Sequence, residues 1–174
     1  MSDTAYQQGI RAAYQGELIG ESLYRELARC SSDPVQRAKL DAIADVECLT
    51  HGMLKPIADR LNVVPTEAEW RPIVDRRAIE LASLTWPAFI SNAMRDWPPY
   101  IARFEALQLL APARDAESIQ LLVDHEVTLV EFLRVEKSDM GSDSALRVLE
   151  AFLKSSRRPQ RHHTDWIPPS GLLD

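Results

Sequence analysis

Apolar residues recur at three- and four-residue spacing along nearly the whole chain, and no run alternates apolar with polar residues. A period near 3.6 buries one stripe of a helix but cannot bury one face of a strand, so the chain is expected to be all-α. Six glycines in 174 residues leave little material for tight β-turns. With 45% apolar and 26% charged residues, this length suits one globular domain with a single core. The expected division is a helical-bundle domain over residues 1–155 and an irregular tail over 156–174, where Pro159, Pro168, Pro169 and Gly171 interrupt the periodicity.

The first helix is expected from about Thr4 to Cys30, with Ile10, Ala13, Tyr14, Tyr24, Leu27 and Ala28 on its buried side. Asp33 and Pro34 suit the start of a second helix, which runs to about Leu61 and ends at Asn62, with Leu40, Ile43, Ala44, Leu54, Ala58 and Leu61 as its stripe. A long connection follows, holding at most a short helix around Arg76 to Leu84. Thr85-Trp86-Pro87 and Asp96-Trp97-Pro98-Pro99 each place a cap residue and then proline near a helix start, which predicts a short helix, a kink and a helix to about Leu110. Asp115 is expected to cap a helix from Ala116 to Lys137, and a shorter one should span Ala145 to Lys154. Short links within two helix pairs and one long crossover between them define a four-helix bundle that is not simply up-down-up-down.

The net charge of −6 argues against nucleic-acid binding, which needs a surplus of Lys and Arg facing phosphates. The one basic cluster, Arg157, Arg158, Arg161, His162 and His163, reads as a solvated tail. Charge interrupts every apolar stretch, so no helix is expected to cross a membrane. Met1-Ser2-Asp3-Thr4 lacks the basic start and apolar run of a signal peptide, and Cys30 and Cys48 form no metal or disulfide pattern, so a reducing cytoplasm is the expected location.

A carboxylate on an apolar stripe costs several kcal/mol unless it is paired, protonated or bound to a cation. Glu17 and Glu21 both fall on the apolar side of the first helix or at its edge. Glu47 and His51 lie in line with Leu40, Ile43, Leu54 and Ala58 on the second. On the third, Glu105 stands beside Ile101, Phe104 and Leu109, with Asp96 as an alternative at the kink. On the fourth, His125 and Glu126 flank a sector centred on Leu122, Leu129 and Leu133. The misplaced set is thus Glu21 (or Glu17), Glu47, His51, Glu105, His125 and Glu126.

This set resembles the centre of ferritin-like di-iron carboxylate proteins, where one helix of each pair gives a Glu and the other a Glu and a His. Gly20-Glu21-Ser22, followed by Tyr24 and Ala28, is similar to the first ligand segment of rubrerythrin-type members. The resemblance implies a ferritin-like fold over roughly residues 4 to 137, two iron or manganese ions on the six residues above, and an oxidase or hydroxylase acting on an unidentified small molecule. The family pattern is Glu-x-x-His, whereas Glu47 and His51 are spaced Glu-x-x-x-His with Thr50 at plus three, and Glu126 is followed at plus three by Leu129. A metal-free scaffold or ligand-binding bundle with a degenerate site therefore remains an alternative. So does a TenA-like, cofactor-independent helical enzyme using a carboxylate and Cys48 beside His51. Trp70, Trp86, Trp97 and Trp166 read as lids over the bundle ends. Gly16, Gly20, Leu23 and Leu27 form a stripe suited to close helix contact, in a homodimer or inside the monomer.

Overall fold

The computed structural model describes residues 4–156, and they form α-helices with short connections and no strand among them. Helix α1 spans Ala5–Cys30 and α2 spans Pro34–Leu61. Thr4 and Gln7 form a reciprocal capping box at the first, and Asp33 accepts from the backbone N–H groups of Val35 (2.8 Å) and Gln36 (3.3 Å) at the second. Asn62 ends α2 in the left-handed conformation that asparagine tolerates. These boundaries agree with the sequence reading.

The crossover differs from it. In place of a short helix near Arg76, α3 runs over Glu67–Ala82. It starts at Thr66, whose backbone N–H and hydroxyl both donate to Glu69 Oε2 (2.7 and 2.9 Å), and Val74 and Ala78 bury its inner side. Thr66-x-x-Glu69 is the capping-box signature, and it outweighs the single backbone donor lost at Pro72. Helices α4 (Trp86–Asp96) and α5 (Pro98–Gln108) meet at Trp97, which keeps helical torsions and donates its N–H to the Ala93 carbonyl (2.9 Å). Asp96 therefore caps nothing, and its carboxylate pairs with Arg95.

Helix α6 spans Ala116–Ser138 and α7 spans Ser144–Ser156. Asp115 does not cap α6 as expected. It is buried and accepts from Arg60 Nη2 (2.8 and 2.6 Å) and the Tyr6 hydroxyl (2.8 Å), which ties the start of α6 to α1 and α2. The expected tail over 156–174, with its basic cluster and Trp166, lies almost wholly outside the described residues.

Residues late in α1 pair with residues early in α2: Arg25 meets Asp41 and Asp45, Glu17 meets Thr50, and Tyr14 meets His51. The two helices are therefore antiparallel. Trp86, Phe104 and Gln108 likewise meet Glu136, His125 and Gln120 in that order, so α4 and α5 run antiparallel to α6. Contacts of α1 with α5 and of α2 with α6 close the bundle, α3 flanks α1, and α7 packs on α2 and α6 through Ala145, Leu149 and Leu153. Trp70, Trp86 and Trp97 pack half-buried against the core.

The apolar core is not continuous. One cluster joins Leu23, Leu27, Ile43, Val46, Ile90, Leu129 and Phe132; the other joins Ile10, Tyr14, Leu54, Ile57, Phe104, Ile119 and Leu122. Between them along the helices lie Glu17, Glu47, Thr50, His125 and Glu126, all buried. No described helix is long and apolar enough to cross a membrane.

Candidate functional site

Helix rotation decides which misplaced side chains meet. Glu17 lies seven residues after Ile10 and seven before Tyr24, on the centre of the α1 stripe, and is 2% exposed. Glu47 from α2 and His125 from α6 complete a group whose ligand atoms all lie within 4.8 Å of one another. Glu126 joins from the next position of α6, its Oε1 being 3.7 Å from His125 Nε2. The Thr50 hydroxyl, one helical turn after Glu47, hydrogen-bonds Glu17 Oε2.

The rest of the expected set falls elsewhere. Glu21 and His51 meet each other, with His51 Nδ1 at 3.2 Å from Glu21 Oε2 and His51 Nε2 at 3.0 Å from the Tyr14 hydroxyl. They form a half-buried chain, so His51 stands apart from the buried group that holds Glu47. Thr50 faces inward on α2, and His51 lies toward the other edge of the buried side, where Tyr14 and Glu21 of α1 take its two ring nitrogens. Glu105 is exposed on α5, and Leu109 beside it is 89% exposed, because α5 turns Phe104 and Leu107 to the core instead. Cys48 is also exposed, and partial desolvation with the neighbouring Glu21 raises its thiol above the usual range, which removes support from a thiolate nucleophile.

His125 is the informative residue. It is fully buried, and its Nδ1 lies 2.5 Å from the Leu122 carbonyl oxygen. A carbonyl only accepts, so Nδ1 carries the proton. In the neutral ring, the Nε2 lone pair then faces Glu17 Oε2 at 3.4 Å and Glu126 Oε1 at 3.7 Å. Nε2 has no hydrogen-bond partner, the one buried side-chain nitrogen or oxygen so placed among the described residues. A lone pair aimed at carboxylate oxygens leaves a position that only a proton or a cation satisfies.

The carboxylates point the same way. Burial, with the Glu17 charge beside it, pushes Glu126 up to about 9. Burial, then the charges of Glu17 and Glu126, holds Glu47 well above the usual carboxylate range. Both carboxyls therefore keep protons in the folded chain that the unfolded chain has lost. In metal-free protein the stabilising contribution of both is full below about pH 4.5 and declines above it; for Glu126 the decline continues toward about pH 9, at up to roughly 1.4 kcal/mol per pH unit. Thermal unfolding between about pH 5 and 9 should show that decline, and Glu126→Gln should flatten it. A stability that climbs over the same window would contradict the assignment.

Gly20 is required by this packing. A Cβ there would lie 2.5 Å from Glu47 Cδ and 2.7 and 2.8 Å from its oxygens, whereas one at Gly16 meets nothing within 4 Å. The atoms in the way end a flexible side chain, so Gly20→Ala is expected to leave stability within about 1 kcal/mol of wild type while swinging the Glu47 carboxylate aside. Gly16→Ala should gain about 0.5–1 kcal/mol with the site intact. Paired denaturation and metal titrations of the two variants check this.

The acidic group is reachable. A cavity of about 350 Å³ between α1, α3 and α5 is lined by Glu17, Glu47 and Glu126, together with Gly16, Tyr24, Arg77, Trp97, Tyr100, Arg103 and Phe104. Two glycines of the stripe line it: Gly20 admits Glu47, and Gly16 faces open space. Sequence reasoning missed a second buried polar group. Lys39 Nζ lies 2.5 Å from Glu136 Oε2, both fully buried, and Glu136 Oε1 also accepts from Trp86 Nε1 (2.7 Å) and the Gly141 N–H (3.3 Å). Its signal was heptad spacing, since Glu136 continues the line of Leu122 and Leu129. Set against known proteins, the chain matches no family model, no curated protein and no solved structure.

Proposed function

We propose that this chain is a ferritin-like helical bundle that binds a divalent transition-metal ion, iron or manganese, on Glu17, Glu47 and His125, with Glu126 beside it, and acts on a small molecule admitted through the adjoining cavity. The single observation that carries this reading is the buried, unpartnered Nε2 of His125. Two further carboxylate oxygens within 4.8 Å supply the mixed oxygen and nitrogen donors such an ion prefers. The four converging side chains fit one ion better than the pair implied by the family resemblance, because Glu21, His51 and Glu105 lie outside the group.

Each neighbour has a defined part. The Leu122 carbonyl holds the His125 ring in the tautomer that presents Nε2 inward, the arrangement that orients metal-binding histidines generally. The Thr50 hydroxyl hydrogen-bonds Glu17 Oε2 and restrains its rotamer. Glu47 and Glu126 release their protons as a cation replaces them, so affinity should rise with pH. Tyr24, Trp97 and Phe104 limit water around the carboxylates on the cavity side. A bound ion would supply Lewis acidity and, for iron or manganese, one-electron chemistry.

The test is metal content by plasma mass spectrometry, on protein purified without chelator or immobilised nickel and then incubated anaerobically with ferrous iron or manganese. About one ion per chain, bound more tightly at higher pH, is expected. Protein that retains no metal after either incubation overturns the proposal.

A further inference from the structure

The cavity has a polarity of its own. At its inner end stand the buried carboxylates of Glu17, Glu47 and Glu126; at its outer end stand two exposed arginines, Arg77 from α3 and Arg103 from α5. Among the described residues neither guanidinium has a hydrogen bond or an ion pair, and the Arg103 guanidinium carbon lies 5.9 Å from the centre of the Tyr100 ring. Most other described arginines are engaged, among them Arg11 with Glu69, Arg25 with Asp45, Arg60 with Asp115 and Arg134 with Glu131; Arg114, outside this cavity, is exposed and unpaired like these two. Asp96, the outer carboxylate of the lining, is already held by Arg95. Trp97, Tyr100 and Phe104 belong to the same lining.

We propose that this cavity binds a small amphipathic carboxylate, its anionic head on Arg77 and Arg103, its flat apolar body against Trp97, Tyr100 and Phe104, and its far end at the acidic group. The planar guanidinium fork matches a carboxylate bidentately and tolerates aromatic neighbours. A volume of about 350 Å³ falls at the small end of ligand pockets. The two arginines attract the anionic head and the Glu17 charge at the inner end repels it, so one orientation is favoured, which delivers the apolar end of the ligand to Glu17, Glu47 and His125. Assigning this ligand as the substrate rests on the metal reading above; its binding does not.

The experiment titrates the full chain, metal-free and metal-loaded, with hydrocinnamate and with its neutral amide, read by calorimetry and by tryptophan fluorescence. The acid should bind at least about tenfold more tightly than the amide in both preparations, and Arg77→Ala with Arg103→Ala should remove that preference. Gly16→Leu, which projects into the open space beside α1, should raise Tm by about 2 °C yet weaken binding at least about tenfold, a combination that general damage to the fold would not produce. Equal binding of acid and amide, an unchanged preference in the double arginine variant, unchanged affinity in Gly16→Leu, or no binding at millimolar ligand each overturns the proposal. Arginine-dependent binding by protein that takes up no metal would sustain this ligand site while the metal reading falls.

Discussion

Replacing His125 with glutamine is expected to lower metal affinity by about 100-fold or more, because it removes the inward-facing nitrogen donor among the carboxylates. The same loss has a second readout. Saturating the wild-type site at about 100 times Kd adds roughly 2.7 kcal/mol to the folded state, which for a chain of this size raises Tm by about 5–10 °C. His125→Gln and Glu17→Gln should cut that shift to about 2 °C or less, whereas Glu21→Gln and Glu105→Gln should keep it, since Glu21 pairs with His51 and Glu105 faces solvent. This contrast separates the observed group from the set expected from the family resemblance. A thermal shift that survives undiminished in His125→Gln, or that vanishes in Glu105→Gln, would place the ion elsewhere.

The second large effect concerns Lys39 and Glu136. Glu136→Leu leaves a buried ammonium without its partner and strands the Trp86 Nε1–H and the Gly141 N–H as well. Removing one member of such a pair costs about 3–5 kcal/mol, a large share of the 5–15 kcal/mol typical of a folded domain. Lys39→Met should cost less, because the Glu136 carboxylate keeps two neutral donors. The double variant Lys39→Met/Glu136→Leu should recover much of the loss, since an apolar pair of similar volume avoids the desolvation penalty. Urea denaturation of the three variants reads the order directly. A Glu136→Leu variant within about 1 kcal/mol of wild type would show that the pair is not holding α2 against α6.

The stripe pattern already contained most of the site. Glu47, His125 and Glu126 stand out as polar residues on apolar faces, and all three are buried together. Glu17 was equally legible, because it continues the heptad line from Ile10 to Tyr24, but the resemblance of Gly20-Glu21-Ser22 to a ligand segment favours its neighbour one turn later. The same heptad rule points to Glu136 after Leu122 and Leu129. His51 and Glu105 misled for a different reason. Glu105 sits near the border of an apolar sector, where a rotation of some tens of degrees decides between core and solvent; His51 reads as part of the α2 stripe, yet it stands half-buried against Tyr14 and Glu21. Leu109 shows how little one apolar neighbour says there, since it lies 89% exposed next to the end of α5.

The all-helical class, the first two helix boundaries and their caps follow from the sequence alone, because periodicity, Thr4, Asp33, Pro34 and Asn62 act within a few residues of one another. The sequence also shows which helix faces must take polar groups into the interior. What only the tertiary structure decided is which of those groups share a point in space. Distances between side chains on different helices depend on the rotation and axial offset of each helix against its neighbours, and packing of the whole core sets those. That is why Glu17 meets His125 while Glu21 meets His51, and why a glycine at position 20 leaves room for a carboxylate carried by another helix.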